Sequence, residues 1–238
     1  MSYLWDCGAS SFTTMKNPTT TSLVVRSAGV NLVGDLNVPA HPKGLIIFSH
    51  GSGSSRFSPR NRFVSEQLAR NGYATFLVDL LTELEDSDER NRFDISLLTE
   101  RLLGVVHYFL DEYAGIFDRV GLFGASTGAA SALRVASVLG EDIFSVVIRG
   151  GRPDLAFDAL DAVVAPTLLL VGEYDSLVLA INRRALMRLR GEKRLVVIPE
   201  ATHLFEEQGK LEQVAKISVE WLDHCLESKN IQDAFSKS

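Results

Sequence analysis

Apolar residues recur along the chain in two patterns, and these patterns predict the fold. Two early segments, 23–26 and 31–38, alternate apolar and polar residues on either side of Ala28-Gly29, as in an antiparallel hairpin. Further on, short apolar runs alternate with stretches whose apolar residues are spaced three or four positions apart. The runs are 44–49, 75–78, 119–123, 144–148, 166–172 and 194–199. Fully apolar strands separated by helices predict an α/β fold, with a mostly parallel central sheet and helices on both faces.

Length and composition predict one globular domain. The chain has 238 residues, of which 46% are hydrophobic and 23% are charged, and such values are ordinary for a folded domain of this size. No repeat or linker divides it. We expect the domain to cover residues 23–226, between a threonine-rich N-terminal arm (1–22) and a polar C-terminal tail (227–238) that are both poorly ordered.

Charge, hydropathy and cysteine content exclude several classes of partner. A net charge of −6 disfavours nucleic acid and anionic membranes as partners. No apolar stretch is long enough to span a bilayer, and the N-terminus lacks the basic and apolar regions of a signal peptide. Of the two cysteines, Cys225 falls on the apolar face of the last predicted helix and Cys7 lies in the arm. The absence of a disulfide framework in the sequence fits a reducing cytoplasm. We expect a monomer or homodimer.

The sequence Gly-Ala-Ser-Thr-Gly at 124–128 marks a candidate nucleophile. It joins the apolar run 119–123 to a helix-like stretch, 129–139. In this strand–turn–helix context only glycines fit two positions before and after the serine, and the tight turn exposes Ser126 Oγ near a helix N-terminus. The bare pattern would occur by chance in roughly one chain in ten, so the flanking elements carry most of the argument.

Two more residues complete a candidate triad. The chain order expected on this fold is serine, acid, histidine. Asp175 follows one predicted strand and His203 follows the next, so both lie where the carboxyl ends of parallel strands form ligand sites. His203 would accept the proton of Ser126, and Asp175 would orient the imidazole. Glu173 is the alternative acid; Asp175 is preferred because it lies farther beyond the strand.

The loop after the first apolar run predicts an oxyanion hole. Its sequence is His-Gly-Ser-Gly at 50–53. One backbone N–H would come from Thr127, and the other from Ser52 or alternatively Gly53, with His50 bracing the loop. The loop lacks the Gly-Lys-Ser/Thr ending of a P-loop and the third glycine of a dinucleotide fingerprint, so nucleotide binding is disfavoured.

Together, residues 50–53, 124–128, 171–175 and 201–203 resemble the α/β-hydrolases, and more narrowly their dienelactone-hydrolase-like branch. The resemblance covers about residues 23–226. Dienelactone hydrolases proper carry a cysteine nucleophile where this chain has Ser126, which favours general ester chemistry over lactone hydrolysis. Similar domains are also found joined to phosphoribosyltransferase domains, and nothing in this sequence resembles that second module.

The sequence thus predicts a serine hydrolase that cleaves small carboxylic esters through an acyl-enzyme, without cofactor or metal. Lactone, thioester, peptide and C–C bond hydrolysis use the same residues and remain alternatives; a catalytically silent binding protein is a further one. Residues 149–165 are too short for a cap domain, so we expect an open pocket for compact acyl groups.

Charged residues near the predicted site leave two questions open. Arg56, Arg149 and Arg152 could bind an anionic substrate, because guanidinium groups recognise carboxylate or phosphate. Arg60 and Arg62 also follow the oxyanion loop; for these two the favoured alternative is a solvated first helical turn that pairs with the acidic segment. The acidic segment 80–93 could fold over the pocket; we expect it to be a solvated surface segment.

Overall fold

The computed structural model describes residues 19–236 and confirms the predicted sheet. Its strands are β1 (Thr19–Ser27), β2 (Val30–Val38), β3 (Leu45–Ser49), β4 (Ala74–Val78), β5 (Val120–Ala125), β6 (Ile143–Arg149), β7 (Thr167–Gly172) and β8 (Lys193–Ile198). They lie in the order β1-β2-β4-β3-β5-β6-β7-β8. The pairs β1–β2 and β2–β4 are antiparallel and all others are parallel. The carboxyl ends of β3 to β8 therefore share one edge of the sheet.

Helices cover both faces of this sheet, as predicted. They are α1 (Pro59–Arg70), α2 (Glu83–Asp86), α3 (Ile95–Glu112), α4 (Gly128–Leu139), α5 (Ser176–Arg188) and α6 (Lys210–Ser236). Buried side chains of α3, α4 and α5 pack on one face, and those of α1 and α6 pack on the other. Among residues 19–236, no helix is long and apolar enough to cross a membrane.

Burial explains the two hydrophobic patterns. Every residue of β3, β4, β5, β6 and β7 is buried, because helices cover both faces of these strands. In β2 buried residues alternate with partly exposed ones, as expected for a strand covered on one face only. Residues 150–166, between β6 and β7, contain two short 3-10 segments, Pro153–Ala156 and Leu160–Ala162, and no inserted domain.

Regular structure extends beyond the expected domain bounds at both ends. Residues 19–22, assigned to the arm, belong to β1 and pair with residues 35–38 of β2; threonine is a good strand former because its branched side chain suits a pleated surface. The predicted polar tail continues α6 as far as Ser236. An ion pair of 2.9 Å between Lys229 Nζ and Glu141 Oε2 anchors this part of α6. The rest of the predicted arm, including Cys7, lies outside the described residues.

The acidic segment 80–93 is folded and anchored on the hairpin side of the molecule. It contains α2, which begins with a capping box between Thr82 and Glu85, and a 3-10 turn, Asn91–Phe93. Glu85 Oε1 accepts a hydrogen bond of 2.7 Å from Arg101, a buried residue of α3. The same guanidinium donates to Ser27 O at 2.9 Å, so Glu85 joins α2 to both α3 and the β1–β2 turn.

This anchor predicts a pH-dependent contribution to stability. Burial alone would raise the pKa of Glu85, but hydrogen bonds from Thr82 and Arg101 outweigh it and lower the pKa below 4.5. A carboxylate whose pKa is lowered by folding stabilises the protein above its unfolded pKa, and this contribution is lost as the pH falls through the folded value. We expect Glu85→Gln to lower the free energy of unfolding by about 1–3 kcal/mol near pH 7.

Urea denaturation near pH 7 and near pH 3.5 measures this effect. The difference between wild type and Glu85→Gln should shrink at the lower pH, because the contribution of a carboxylate whose pKa is lowered by folding declines once the pH falls below its unfolded pKa. The exposed neighbour Glu83 provides the control, since Glu83→Gln should change stability little at either pH. A destabilisation by Glu85→Gln that is equal at both pH values would contradict this assignment.

Candidate active site

Ser126 lies on a strained turn between β5 and α4. Its φ of 50° is in the left-handed region, which non-glycine residues rarely adopt. A Cβ at Gly124 would lie 2.7 Å from Ala129 Cα, and one at Gly128 would lie 2.2 Å from Ser49 O. Both positions therefore require glycine, as the sequence predicted, and the serine is raised at the carboxyl edge of the sheet.

Backbone hydrogen bonds fix this turn to the adjacent strand. Ser126 N donates to Arg149 O at 3.1 Å, and Arg152 N donates to Ser126 O at 2.9 Å. Arg149 is the last residue of β6. Since both bonds run between neighbouring strand ends, the position of Ser126 is determined by the sheet as well as by its own turn.

The structure brings His203 onto Asp175. The two residues follow β8 and β7, and His203 Nδ1 lies 2.6 Å from Asp175 Oδ2. Asp175 is the more buried partner, with 13% of its side chain exposed against 38% for His203. Donation from Nδ1–H to the carboxylate leaves Nε2 as the acceptor on the other side of the ring. The alternative acid, Glu173, instead accepts a hydrogen bond of 2.8 Å from Glu200 N.

Ser126 and His203 line a common cavity of about 200 Å³, hereafter the Ser126 cavity. The loop after β3 forms another wall: a Cβ at Gly51 would lie 3.0 Å from Ser126 Cβ. Gly150 also passes close to the histidine, with φ of +54° and a hypothetical Cβ 3.4 Å from His203 Nδ1. No hydrogen bond joins Ser126 Oγ to His203 within the described part of the chain; such bonds often form fully only with substrate bound.

The two residues predicted to form the oxyanion hole are in direct contact. Ser52 N donates a hydrogen bond of 2.7 Å to Thr127 Oγ1, and Thr127 is 5% exposed. Ser52 lines the Ser126 cavity, whereas Gly53 lines a different one together with Asp86. The geometry therefore favours Ser52 over Gly53 as donor, and an oxyanion would replace the threonine hydroxyl as the acceptor.

Of the three arginines predicted to bind substrate, only Arg149 reaches the Ser126 cavity. Arg56 donates its backbone N–H to Asp79 at 2.7 Å and also pairs with that carboxylate through its guanidinium. Arg152 forms two hydrogen bonds with Asp154, at 2.8 and 2.7 Å. Carboxylates of the protein itself thus engage the side chains of Arg56 and Arg152, so the geometry favours Arg149 among the three.

Sequence reasoning missed Arg60. It was assigned to a solvated helical turn, yet it lines the Ser126 cavity. Its position in the first turn of α1, directly after the loop that follows β3, was a usable signal, because this loop carries that turn back toward Ser126. His50 fits the predicted bracing role: Nδ1 lies 3.0 Å from Gly51 O, and Nε2 lies 3.9 Å from Asp79 Oδ1.

Residues 19–236 contain no cluster of three or more His, Cys, Asp or Glu side chains suited to a metal ion.

The fold and these motifs agree with comparisons to known proteins. Residues 32–225 match the model of the dienelactone hydrolase family. A crystal structure of dienelactone hydrolase from Anabaena variabilis shares 48% identity and a TM-score of 0.84, over 87% of this chain and 98% of that one. Est1E from Butyrivibrio proteoclasticus has the same fold, with a TM-score of 0.74 and 17% identity over 87% of this chain and 99% of its own.

Curated relatives are longer proteins. Two proteins of Mycobacterium tuberculosis, whose names assign them provisionally to the phosphoribosyl transferases, are 51% identical over 196 residues. This match includes 82% of the present chain but 44% of theirs, so the chain spans less than half their length. The family match and the 48% identical structure show that this chain belongs to the dienelactone hydrolase family and has the α/β-hydrolase fold.

Proposed function

We propose that the protein hydrolyses small carboxylic esters through an acyl-enzyme on Ser126. The observation that carries this proposal is the hydrogen bond of 2.6 Å between His203 Nδ1 and Asp175 Oδ2. Ser126 lines the same cavity as His203. A nucleophile, a base and an orienting acid are the groups that acyl transfer needs.

In the proposed reaction, Ser126 Oγ attacks the ester carbonyl carbon while His203 Nε2 accepts the hydroxyl proton. The carbonyl oxygen becomes negatively charged and is stabilised by the backbone N–H groups of Ser52 and Thr127. His203 then donates its proton to the departing alcohol as the C–O bond breaks. A water molecule, deprotonated by His203, attacks the acyl-enzyme and releases the carboxylic acid and the free serine.

The Ser52–Thr127 contact adds a step to this scheme. Ser52 N–H is bonded to Thr127 Oγ1 at 2.7 Å, so the donor is satisfied before substrate binds. Developing charge on the carbonyl oxygen makes it a stronger acceptor than a neutral hydroxyl. The donor therefore changes partner as the tetrahedral intermediate forms, which directs its stabilisation to the transition state.

Other acyl substrates are the alternatives, since lactones, thioesters, peptides and activated C–C bonds use the same groups. We favour open-chain esters because Ser126 stands where dienelactone hydrolases proper have cysteine. The name of the M. tuberculosis relatives refers to proteins more than twice as long as the matched region. In this chain that region matches the dienelactone hydrolase family. We therefore propose hydrolysis, and no phosphoribosyl transfer, for this region.

A panel of esters graded by acyl length tests the proposal. We expect kcat/KM to level off within a few carbons, because the Ser126 cavity of about 200 Å³ offers little apolar wall to a long chain. Each fully buried CH₂ would otherwise add about 0.8 kcal/mol, or roughly fourfold in kcat/KM. Matched lactones, thioesters and amides are included as alternatives. A steep rise toward long-chain esters would contradict the size prediction, and no turnover of any acyl substrate would favour a silent binding protein.

A further inference from the structure

Arg149 is a buried cation without a partner. It is 8% exposed, and its guanidinium takes part in none of the hydrogen bonds or ion pairs found among residues 19–236; its Nη1 is fully buried and unpartnered. Burying a charge without a counterion is costly. This unpaired charge lies beside Ser126: the side chain of Arg149 lines the Ser126 cavity, and Arg149 O accepts a hydrogen bond from Ser126 N.

A second cation lines the same cavity. Arg60 Nη1 lies 2.7 Å from Glu206 Oε1, and the Glu206 side chain is 62% exposed. The Nε of Arg60 is buried and unpartnered. Burial, together with the nearby charge of Arg60, lowers the pKa of Arg149 to about 10, so Arg149 stays charged at neutral pH. None of the described residues that line the cavity is acidic. Two guanidinium groups therefore give it a positive potential.

The N-terminus of α1 closes this side of the cavity. Ser58 is the N-cap and accepts from Asn61 N at 3.4 Å, which leaves its own hydroxyl proton free to donate. Both residues line the cavity. The positive end of the helix dipole therefore adds to the two arginines. Asn61 Oδ1 is buried without a partner, and the reversed amide would present Nδ2 as another donor.

We propose that Arg149, Arg60 and the first turn of α1 form a phosphate subsite, so that the preferred ester substrate carries a phosphate monoester group. This inference rests on the proposed ester hydrolysis and names its substrate class. A planar carboxylate is satisfied by a single guanidinium fork. Here the donors come from two elements and several directions, which suits the three terminal oxygens and near-double negative charge of a phosphate. The small cavity places ester carbonyl and phosphate in one compact molecule.

Calorimetric titration with inorganic phosphate tests the subsite without relying on turnover. We expect phosphate to bind the wild type, and Arg149→Met to weaken binding by about 10- to 100-fold, the effect of losing a charge-assisted contact. Arg60→Gln, at a less buried position, should weaken binding in the same direction and serves if Arg149→Met does not fold. Arg152→Gln is the matched control, because Arg152 pairs with Asp154, and it should bind phosphate like wild type.

Competition distinguishes the kinds of anion and separates this inference from the proposed function. We expect phosphate to inhibit turnover of a short ester competitively and to exceed acetate in doing so. Three results would overturn the phosphate assignment: no phosphate binding, equal binding by Arg149→Met and wild type, or inhibition by acetate as strong as that by phosphate. If the protein binds phosphate but its Ser126 does not react, the subsite stands and the hydrolase proposal is refuted. If Ser126 reacts but phosphate does not bind, only the subsite is refuted.

Discussion

Replacing Ser126 with alanine is expected to abolish covalent labelling by a fluorophosphonate probe and to lower kcat by about 10⁵- to 10⁶-fold. The reason is that the proposed acyl-enzyme forms on Ser126 Oγ, which the left-handed turn (φ 50°) holds at the cavity that it shares with His203. Labelling is followed by intact-protein mass spectrometry, and turnover by hydrolysis of a short ester.

The control for this experiment is Ser54→Ala. Ser54 lines the same cavity, so its loss removes a neighbouring hydroxyl while the nucleophile remains, and the probe should still react. His203→Ala should lower kcat by a similar factor to Ser126→Ala, and the double variant should be no worse than either, because the two residues act as a unit. A label that persists on Ser126→Ala would remove Ser126 from the nucleophile's role.

The second large effect is expected from Asp175→Asn, which should lower kcat by about 10⁴-fold. Asparagine is nearly isosteric but can donate to His203 Nδ1, and this favours the tautomer whose Nε2 carries the proton and cannot act as base. Asp175 is the N-cap of α5 yet makes no side-chain capping hydrogen bond. The substitution should therefore leave the thermal midpoint nearly unchanged while activity falls.

Glu173→Gln is the matched comparison. Glu173 also lies beyond β7, but its side chain accepts from Glu200 N, and a glutamine oxygen can accept the same bond. We expect near wild-type kcat for this variant. If Glu173→Gln proves the more damaging substitution, then the acid of the triad is not Asp175.

Much of the fold was readable from sequence because its signals are local. Each strand buried on both faces forms an apolar run of its own, and the run at 166–172 corresponds to β7 within one residue. The elbow at 124–128 was equally readable, since the requirement for glycine arises from atoms a few residues away or from the adjacent loop. The extent of the terminal elements was not readable in this way: the polar sequences at 19–22 and 227–236 are held by strand pairing and by an ion pair to a distant residue, which composition does not reveal.

The sequence by itself determined the fold class, the dienelactone hydrolase family and the candidates Ser126, Asp175 and His203, because the strand pattern fixes which segments end at the same edge. Only the tertiary structure decided which carboxylate meets His203 and which arginines face the cavity. Glu173 and Asp175 are two residues apart, and the direction of each side chain depends on the packing of β7 against β8. Likewise, Arg56 and Arg152 are bound by Asp79 and Asp154, whereas Arg149 is left unpaired beside Ser126, because a charge takes the partner that folding brings within reach.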